Sequence, residues 1–355
     1  MRSLSRTLHA ASIAVTTLVL ESAAQAENFT VNFMSSNESS CSPYAQQNAQ
    51  VFGFWDDLGI TVNFLSTETT VPYPAFLQNG QADLALMDAG QVLQAVDADL
   101  PVKVVYEAAQ YAPDGIVVLD DSPIKSLADL KDATVGLSSD RDMITTAIAL
   151  SSIGKTIEDM NIKSVVVGDS GPVMAKALRD GAIAAFSGGA SDRAGIEAAG
   201  VKIRNITPVE VLRQPSNNLT AWGPTLEEKR PMIQAFLKGW AQAQFAALID
   251  TKLTASACRT KIPQQFEKID IGLRLINNAA YGTQLSRTKN YGEPQPDVWA
   301  DVQVPLVQMK EISKEYDPAT FLGSSFIAGA NDFTTDDVKK KIYAWKNANL
   351  DKMIP

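Results

Sequence analysis

The sequence predicts an α/β protein with two lobes, each built around its own sheet. Helical and strand patterns alternate along the chain, which is typical of this class. The 355 residues, of which 45% are hydrophobic, are enough for about two domains with full cores. Residues 75–86 also resemble residues 176–186, with Gly80 aligned to Gly181, and each copy has the pattern of a helix, a turn and a strand. This weak internal repeat predicts two related lobes.

Residues 1–26 are predicted to be a secretory signal peptide. Two arginines precede an apolar run, residues 10–20, and the tripeptide Ala24-Gln25-Ala26 has the pattern of a cleavage site. The apolar run is too short to be a stable membrane anchor. We therefore expect an exported, soluble mature protein that begins near Glu27.

The composition excludes several function classes. The chain has a formal net charge of −9, so nucleic acid and anionic membranes are not expected partners. The only histidine, His9, lies in the signal peptide, which leaves no imidazole for Ser-His-Asp or Cys-His catalysis or for the common zinc and iron sites. We therefore expect no catalytic centre, no metal and no cofactor. Cys41 and Cys258 either pair as a disulfide in an oxidising compartment or remain two small buried residues.

The first lobe begins as a β-α-β-α-β unit. Its strands are predicted at residues 29–34, 60–65, 83–87 and 102–106, with the first helix at 44–58. Polar loops follow the first two strands, at the sheet edge where open α/β sheets bind ligands. The candidate ligand-binding residues in these loops are Ser36, Asn37, Thr67 and Tyr73. Asp88 follows the third strand and either accepts hydrogen bonds from a ligand or caps the next helix.

A strand end meets a helix N-terminus in the second lobe. Ser138, Ser139 and Arg141 lie at this junction, between a predicted strand at 134–137 and an apolar helix at 143–153. Free N–H groups and the helix dipole at such a junction favour an anion. The segment is therefore either an anion clamp or a solvated turn in which the arginine pairs with a neighbouring aspartate.

A glycine-rich loop follows the strand of the second repeat, and Ser187 and Gly188 begin it. Glycine lets a backbone approach another group closely, so this loop either contacts the ligand or is an ordinary turn. Trp222 is one of several aromatic residues that either form a wall of the site or pack in the protein. Helices are predicted within 224–250, 264–280, 296–316 and 336–348. This helical tail has no sheet of its own, so we expect it to pack on the first lobe.

Several segments together resemble a known family. They are L-Q-N-G-Q-A-D at 77–83, V-K-V-V at 102–105, V-V-L-D-D-S-P-I-K-S-L-A-D-L-K at 117–131, V-G-L at 135–137 and A-L-R-D-G at 177–181. Over residues 75–245, the chain is similar to periplasmic solute-binding proteins of ABC importers. The branch that it resembles serves nitrate, alkanesulfonates, taurine and thiamine-pyrimidine precursors.

The resemblance implies a type II periplasmic-binding-protein-like fold. Lobe 1 would comprise residues 27–115 and 220–355, and lobe 2 residues 116–219, with crossings near Ala112–Ile116 and Leu219–Gly223. The cleft between the lobes would hold a small polar anion, a sulfonate or a carboxylate, and would close around it by a hinge motion. The partner would be an ABC permease in the inner membrane. The protein would act as a periplasmic monomer and not as an enzyme.

Three alternatives stay open at this point. They are pyrimidine-precursor binding, an enzyme on the same fold, and a sensory binding protein that presents its ligand to a membrane receptor. The missing histidine argues against the enzyme, because the pyrimidine-synthase relatives depend on histidine chemistry. Neighbouring permease and ATPase genes would separate transport from sensing.

Overall fold

The computed structural model describes residues 28–35, 40–65, 72–112, 115–284 and 289–355, so the predicted signal peptide lies outside it. Within these ranges, the strands form two five-stranded sheets. The first sheet contains β1 (Phe29–Met34), β2 (Ile60–Leu65), β3 (Leu84–Met87), β4 (Val102–Ala109) and β10 (Asn217–Trp222), in the spatial order β2-β1-β3-β10-β4. The second contains β5 (Gly115–Leu119), β6 (Thr134–Leu137), β7 (Lys163–Val166), β8 (Ala185–Gly188) and β9 (Ile203–Asn205), in the order β7-β6-β8-β5-β9.

The two sheets have the same layout. In the first sheet β2, β1 and β3 are parallel, and β10 runs antiparallel between β3 and β4. In the second sheet β7, β6 and β8 are parallel, and β5 runs antiparallel between β8 and β9. Residues 75–86 and 176–186 occupy equivalent places, since each segment contains the third parallel strand of its sheet and helical residues before it. The internal repeat predicted from the sequence is therefore confirmed.

Helices cover both sheets. They are α1 (Tyr44–Val51), α2 (Tyr73–Gln78), α3 (Ala89–Asp97), α4 (Met143–Ser151), α5 (Gly171–Arg179), α6 (Ala190–Ala198), α7 (Arg230–Ile249), α8 (Thr251–Lys261), α9 (Ile269–Gln284), α10 (Pro296–Gln308), α11 (Ile327–Ala330) and α12 (Thr335–Ala348). The helical tail packs on lobe 1 as predicted, because α7 contacts α1, β1 and β2. Among the described helices, none has the length and apolar character that a bilayer span requires.

The chain crosses between the sheets at two places. The first crossing falls between Ala109 and Gly115, so it begins before the predicted Ala112–Ile116 and ends where β5 starts. The second falls between Asn205 and Asn217, so its prediction at 219–223 is wrong. The reason is that β10 belongs entirely to the first sheet, where both β3 and β4 pair with it. Lobe 2 consequently ends before β10.

Aromatic side chains form the centre of the lobe 1 core. The Trp55 and Phe236 rings stack with centroids 4.8 Å apart, and the Phe33 ring lies 5.2 Å from that of Phe236. Gly239 on α7 permits this packing, because a Cβ there would lie 2.4 Å from the Trp55 ring. These contacts fix α7, the longest described helix, against β1.

A buried carboxylate, Glu107 on β4, holds the start of α10. The backbone N–H of Gln295 and the indole Nε1–H of Trp299 donate to its Oε1, at 2.8 Å and 2.7 Å. Burial nevertheless raises the pKa of Glu107 to about 7, because loss of solvation outweighs the hydrogen bonds that favour the ionised form. In the unfolded chain this carboxyl titrates near pH 4.5. The folded state therefore loses stability relative to the unfolded state as the pH rises from about 4.5 to about 7.

We predict that Glu107→Gln removes this loss of stability. Between pH 4.5 and pH 7.5, the unfolding free energy of the natural protein should fall relative to that of the variant by about 3 kcal/mol, since glutamine does not ionise. Urea unfolding of both proteins across this pH range measures the difference, and all other titrating groups cancel. A difference between the two proteins that stays constant with pH would show that folding does not raise the pKa of Glu107.

Candidate functional site

A cavity of about 490 Å³ lies between the two lobes. We call it the interlobe cavity. It opens where β3 of lobe 1 and β6 and β8 of lobe 2 end, and where α3, α4 and α6 begin. Its size is within the range of small-molecule sites. The described residues that line it include Ser42, Asp88, Gln91, Gln94, Asp140, Arg141, Asp142, Ile144, Ile148, Gly189, Ser191, Asp192, Gln214, Ser216, Asn217, Val302, Leu306 and Glu311.

Asp88 lies on the lobe 1 side of the cavity and has two roles. Its Oδ1 accepts from the backbone N–H of Gln91 at 2.8 Å, while the Gln91 side chain accepts from the Asp88 N–H, so Asp88 caps α3. Its Oδ2 lies 3.1 Å from the guanidinium of Arg141 in lobe 2. Asp88 and Arg141, both predicted from the sequence, therefore meet across the cavity. The Arg141 side chain is 66% exposed, so this ion pair contributes little stability.

The predicted anion clamp at Ser138–Arg141 is occupied by a side chain of the protein. The carboxylate of Asp142 accepts from the backbone N–H of Ser139 at 2.8 Å and from its hydroxyl at 3.3 Å. Burial raises the pKa of Asp142, although the bonds from Ser139 and the charge of Arg141 oppose the shift. Arg141 pairs with Asp88. The alternative of a solvated turn would require Arg141 to pair with a neighbouring aspartate instead.

The glycine-rich loop of lobe 2 is arranged in the same way. The carboxylate of Asp192 accepts from the backbone N–H of Gly189 at 2.9 Å. A Cβ on Gly188 would lie 2.8 Å from that carboxylate and 2.5 Å from the Phe186 ring, so the glycine makes room for side chains of this chain. Ser187 is buried and donates to the backbone oxygen of Asp142 at 3.2 Å, which joins the two lobe 2 loops. Burial also raises the pKa of Asp192, and the nearby charge of Asp142 adds to this.

The other predicted residues do not line the cavity or lie outside the described ranges. Tyr73 is buried in the lobe 1 core with Met34 and Leu77. Trp222 pairs with Val102 at the far end of β10, about 13 Å along the strand from Asn218, because β10 starts near the cavity and runs away from it. The positions of Tyr73 and Trp222 do not support a role for their rings as walls of the interlobe cavity. Ser36, Asn37 and Thr67 lie outside the described residues.

Sequence reasoning missed the residues around Cys41. Cys41 and Cys258 form a disulfide, with Cα atoms 6.0 Å apart, which answers the question that the sequence left open. The bond fixes the segment before α1 to α8. In this segment Ser42 lines the cavity, and the hydroxyl of Ser40 lies 3.0 Å from that of Ser191 in lobe 2. Asp192 was also missed, although its position three residues after Gly189 is that of a helix-capping carboxylate.

Comparison with known proteins agrees with this architecture. The family model described as NMT1/THI5 like matches residues 47–250. No curated protein sequence matches the chain significantly. Among solved structures, the periplasmic aliphatic sulphonate binding protein SsuA from Escherichia coli is 15% identical with a TM-score of 0.63, and the match covers 83% of this chain and 92% of that one.

Two further structures show the range of proteins with this fold. A putative periplasmic sulfonate-binding protein SsuA from Methylobacillus flagellatus KT is 17% identical over 85% of this chain and 94% of that one, with a TM-score of 0.64. A Cys-to-Ser mutant of the desulfurization enzyme DSZB, in complex with biphenyl-2-sulfinic acid, is 15% identical over 85% of this chain and 98% of that one, with a TM-score of 0.55. At these identities the likeness shows the fold, so the predicted two-lobed α/β fold is confirmed.

The disulfide gives a stability prediction. The double variant Cys41→Ser/Cys258→Ser should unfold with a free energy lower by about 2–5 kcal/mol, because the crosslink restricts the unfolded chain. Urea unfolding at pH 7 measures this. Dithiothreitol provides the control, since it should lower the stability of the natural protein to that of the variant and leave the variant unchanged. Equal stability of the oxidised natural protein and the variant would refute the prediction.

Proposed function

The chain belongs to the NMT1/THI5-like family, and from this premise we propose that it is the extracytoplasmic solute-binding component of an ABC importer. The observation that carries the proposal is the interlobe cavity itself. It is lined from both lobes, at the ends of parallel strands, where ligands bind in open α/β sheets. A solute placed there touches both lobes at once.

Contacts from both lobes provide a mechanism for capture. The lobes are joined by the two crossings, at 110–114 and 206–216, which leaves a hinge motion as the natural movement. A ligand that binds both lobes has contacts in the closed form that it lacks in the open form, and only this difference shifts the population towards closure. A membrane permease would then recognise the closed protein. The predicted export of the chain to the periplasm fits this role.

The ligand that the resemblance implies is a small polar anion, either a sulfonate or a carboxylate. Two of the similar structures are of proteins named for sulfonate binding, and they support this prediction at the level of the fold. The volume of about 490 Å³ suits a small organic solute of either charge.

An enzymatic function is the second candidate, and one observation bears on it. A similar structure is that of a desulfurization enzyme, and a second structure of that enzyme is of a Cys-to-Ser mutant in a complex. In this chain both cysteines are joined in the Cys41–Cys258 disulfide, so no thiol is free to act as a nucleophile. The only histidine, His9, lies in the predicted signal peptide. These features favour binding over catalysis.

We predict that the purified protein binds one small polar solute per chain in the interlobe cavity. A thermal-shift screen of sulfonates, carboxylates, nitrate, pyrimidines and amines identifies the solute, and calorimetry gives the stoichiometry. At a ligand concentration of 100 Kd the stabilisation should be about 2.7 kcal/mol. Small-angle scattering should show a smaller radius of gyration with ligand, as expected for closure.

Two matched variants place the solute in the cavity. Gln94→Trp puts a large ring on an exposed residue that lines the cavity and should weaken binding by more than about tenfold. Gln78→Trp makes the same change on an exposed helical residue outside the cavity and should leave affinity unchanged. Binding that resists Gln94→Trp, turnover of a solute by the protein, or no binding in the whole panel would overturn the proposed function.

A further inference from the structure

The charges that face the interlobe cavity are mostly negative. Among the described residues that line it, Arg141 is the one basic side chain, and its charge is offset by Asp88 at 3.1 Å. The carboxylates that line it are Asp88, Asp140, Asp142, Asp192 and Glu311. The formal net charge of the whole chain, −9, has the same sign. The local field in the cavity therefore attracts cations and repels anions.

Three backbone donors that an anion would use at this edge are already bonded within the protein. At the start of each lobe 2 loop, the backbone N–H points at a carboxylate of the same loop: Ser139 at Asp142, and Gly189 at Asp192. At the start of α3 in lobe 1, the N–H of Gln91 is bonded to Asp88. A sulfonate or carboxylate ligand would have to displace these carboxylates and remain beside them. Repulsion between like charges at such a distance disfavours that arrangement.

Unpartnered polar groups next to the cavity form an independent observation. The hydroxyl of Ser35 and both polar atoms of the Gln46 amide are buried, and neither side chain has a hydrogen-bond partner within the described part of the chain. Ser35 follows β1, whose pairing with β3 places it beside Leu86, a residue that lines the cavity. Gln46 lies in the first turn of α1, four residues after the cavity residue Ser42. Buried polar groups normally have partners, and these two side chains lie near this end of the cavity without lining it.

The cavity also has an apolar wall to which both lobes contribute. Ile144 and Ile148 of α4 and Val302 and Leu306 of α10 line it, and the two helices pack on each other. A ligand that was only a hydrated ion would leave this wall unused. The wall suits a hydrocarbon portion, since burial of apolar surface stabilises binding.

We propose that the solute held in the interlobe cavity is a small organic cation, a protonated amine or a related charged nitrogen attached to an apolar body. The proposal rests on the solute-binding role above and specifies its ligand. The charged nitrogen donates to the carboxylates of Asp142 and Asp192 on the lobe 2 side and of Asp88 on the lobe 1 side. In doing so it takes the place of Arg141 beside Asp88. The apolar body lies against the α4–α10 wall.

A matched set of ligands tests the charge directly. Cyclohexylamine, cyclohexanol, cyclohexanecarboxylate and cyclohexanesulfonate share one ring and differ in the charge of the attached group. In calorimetric titrations at pH 7, cyclohexylamine should bind at least about tenfold more tightly than either anion. Its affinity should fall as the salt concentration rises, because the attraction is electrostatic.

Arg141→Gln distinguishes the two charge classes by the sign of its effect. A cation competes with Arg141 for Asp88, so the variant should bind cyclohexylamine about two- to fivefold more tightly. An anion clamp would lose affinity on the same change. Arg141 is largely exposed, so the variant should fold normally.

Asp192→Asn tests the counter-charge, and a matched control is available. Asparagine keeps an oxygen for the Gly189 N–H but removes the negative charge, so affinity for the cation should fall about tenfold. Asp121→Asn makes the same change at an exposed residue of lobe 2 outside the cavity and should have no effect.

The outcomes separate this proposal from the proposed function. Tighter binding of an anion, or weaker binding after Arg141→Gln, overturns the cationic ligand while the solute-binding role stands. If none of the four cyclohexyl compounds binds, the compound identified by the wider panel takes their place. A cationic compound then supports the proposal, and an anionic compound overturns it. If no compound in that panel binds, the solute-binding role fails and the cationic ligand fails with it.

Discussion

The two-lobed structure depends on hydrogen bonds between the two chain crossings. The N–H of Ala112 in the first crossing donates to the oxygen of Leu212 in the second at 2.6 Å, and the N–H of Ser216 donates to Ala109 at 3.0 Å. Each crossing then delivers the antiparallel strand of a sheet, β5 in lobe 2 and β10 in lobe 1. Each of these strands pairs with a neighbour on both sides and runs antiparallel to both. The two neighbours therefore run in the same direction. The parallel strands β3, β6 and β8 end at the interlobe cavity, and α3, α4 and α6 begin there.

That arrangement also determines the charge of the cavity. Every helix N-terminus has N–H groups without helical partners, and a carboxylate is a favourable cap because the helix dipole is positive there. Asp88, Asp142 and Asp192 each accept such an N–H, at 2.8, 2.8 and 2.9 Å. Since the N-termini converge, the carboxylates that cap them converge as well. Free helix N-termini at this edge of a sheet normally favour an anionic ligand. Here the carboxylates of the protein already neutralise these positive helix ends, so the edge no longer favours an anion.

The sequence predicted features that depend on local pattern and missed those that depend on tertiary pairing. The six residues of β1 were predicted to the residue, since their apolar pattern is local. The first helix ends at Val51 and not at residue 58, because Gly53 adopts a φ of +72° and turns the chain. Asp88 and Arg141 were predicted as site residues because they lie at strand ends. The sequence pattern did not predict that the Ser139 N–H is bonded to the carboxylate of Asp142. Trp222 was misplaced because the direction of β10 is set by strands distant in sequence.

The pair formed by Asp88 and Arg141 links the binding proposal to the movement of the lobes. It is the contact between charged groups that spans the interlobe cavity in the described structure, and the Arg141 side chain is 66% exposed while that of Asp88 is 36% exposed. An exposed pair of this kind contributes about 0–1 kcal/mol, so it closes the cavity only weakly. A ligand cation that replaces Arg141 beside Asp88 is more deeply buried, and it gains the carboxylates of lobe 2 in the same step. The ligand would then add to the free energy of closure, beside the packing of α4 on α10 and of α6 on α9 that already joins the lobes. Only the contacts that the ligand makes in the closed form alone would shift the population towards closure.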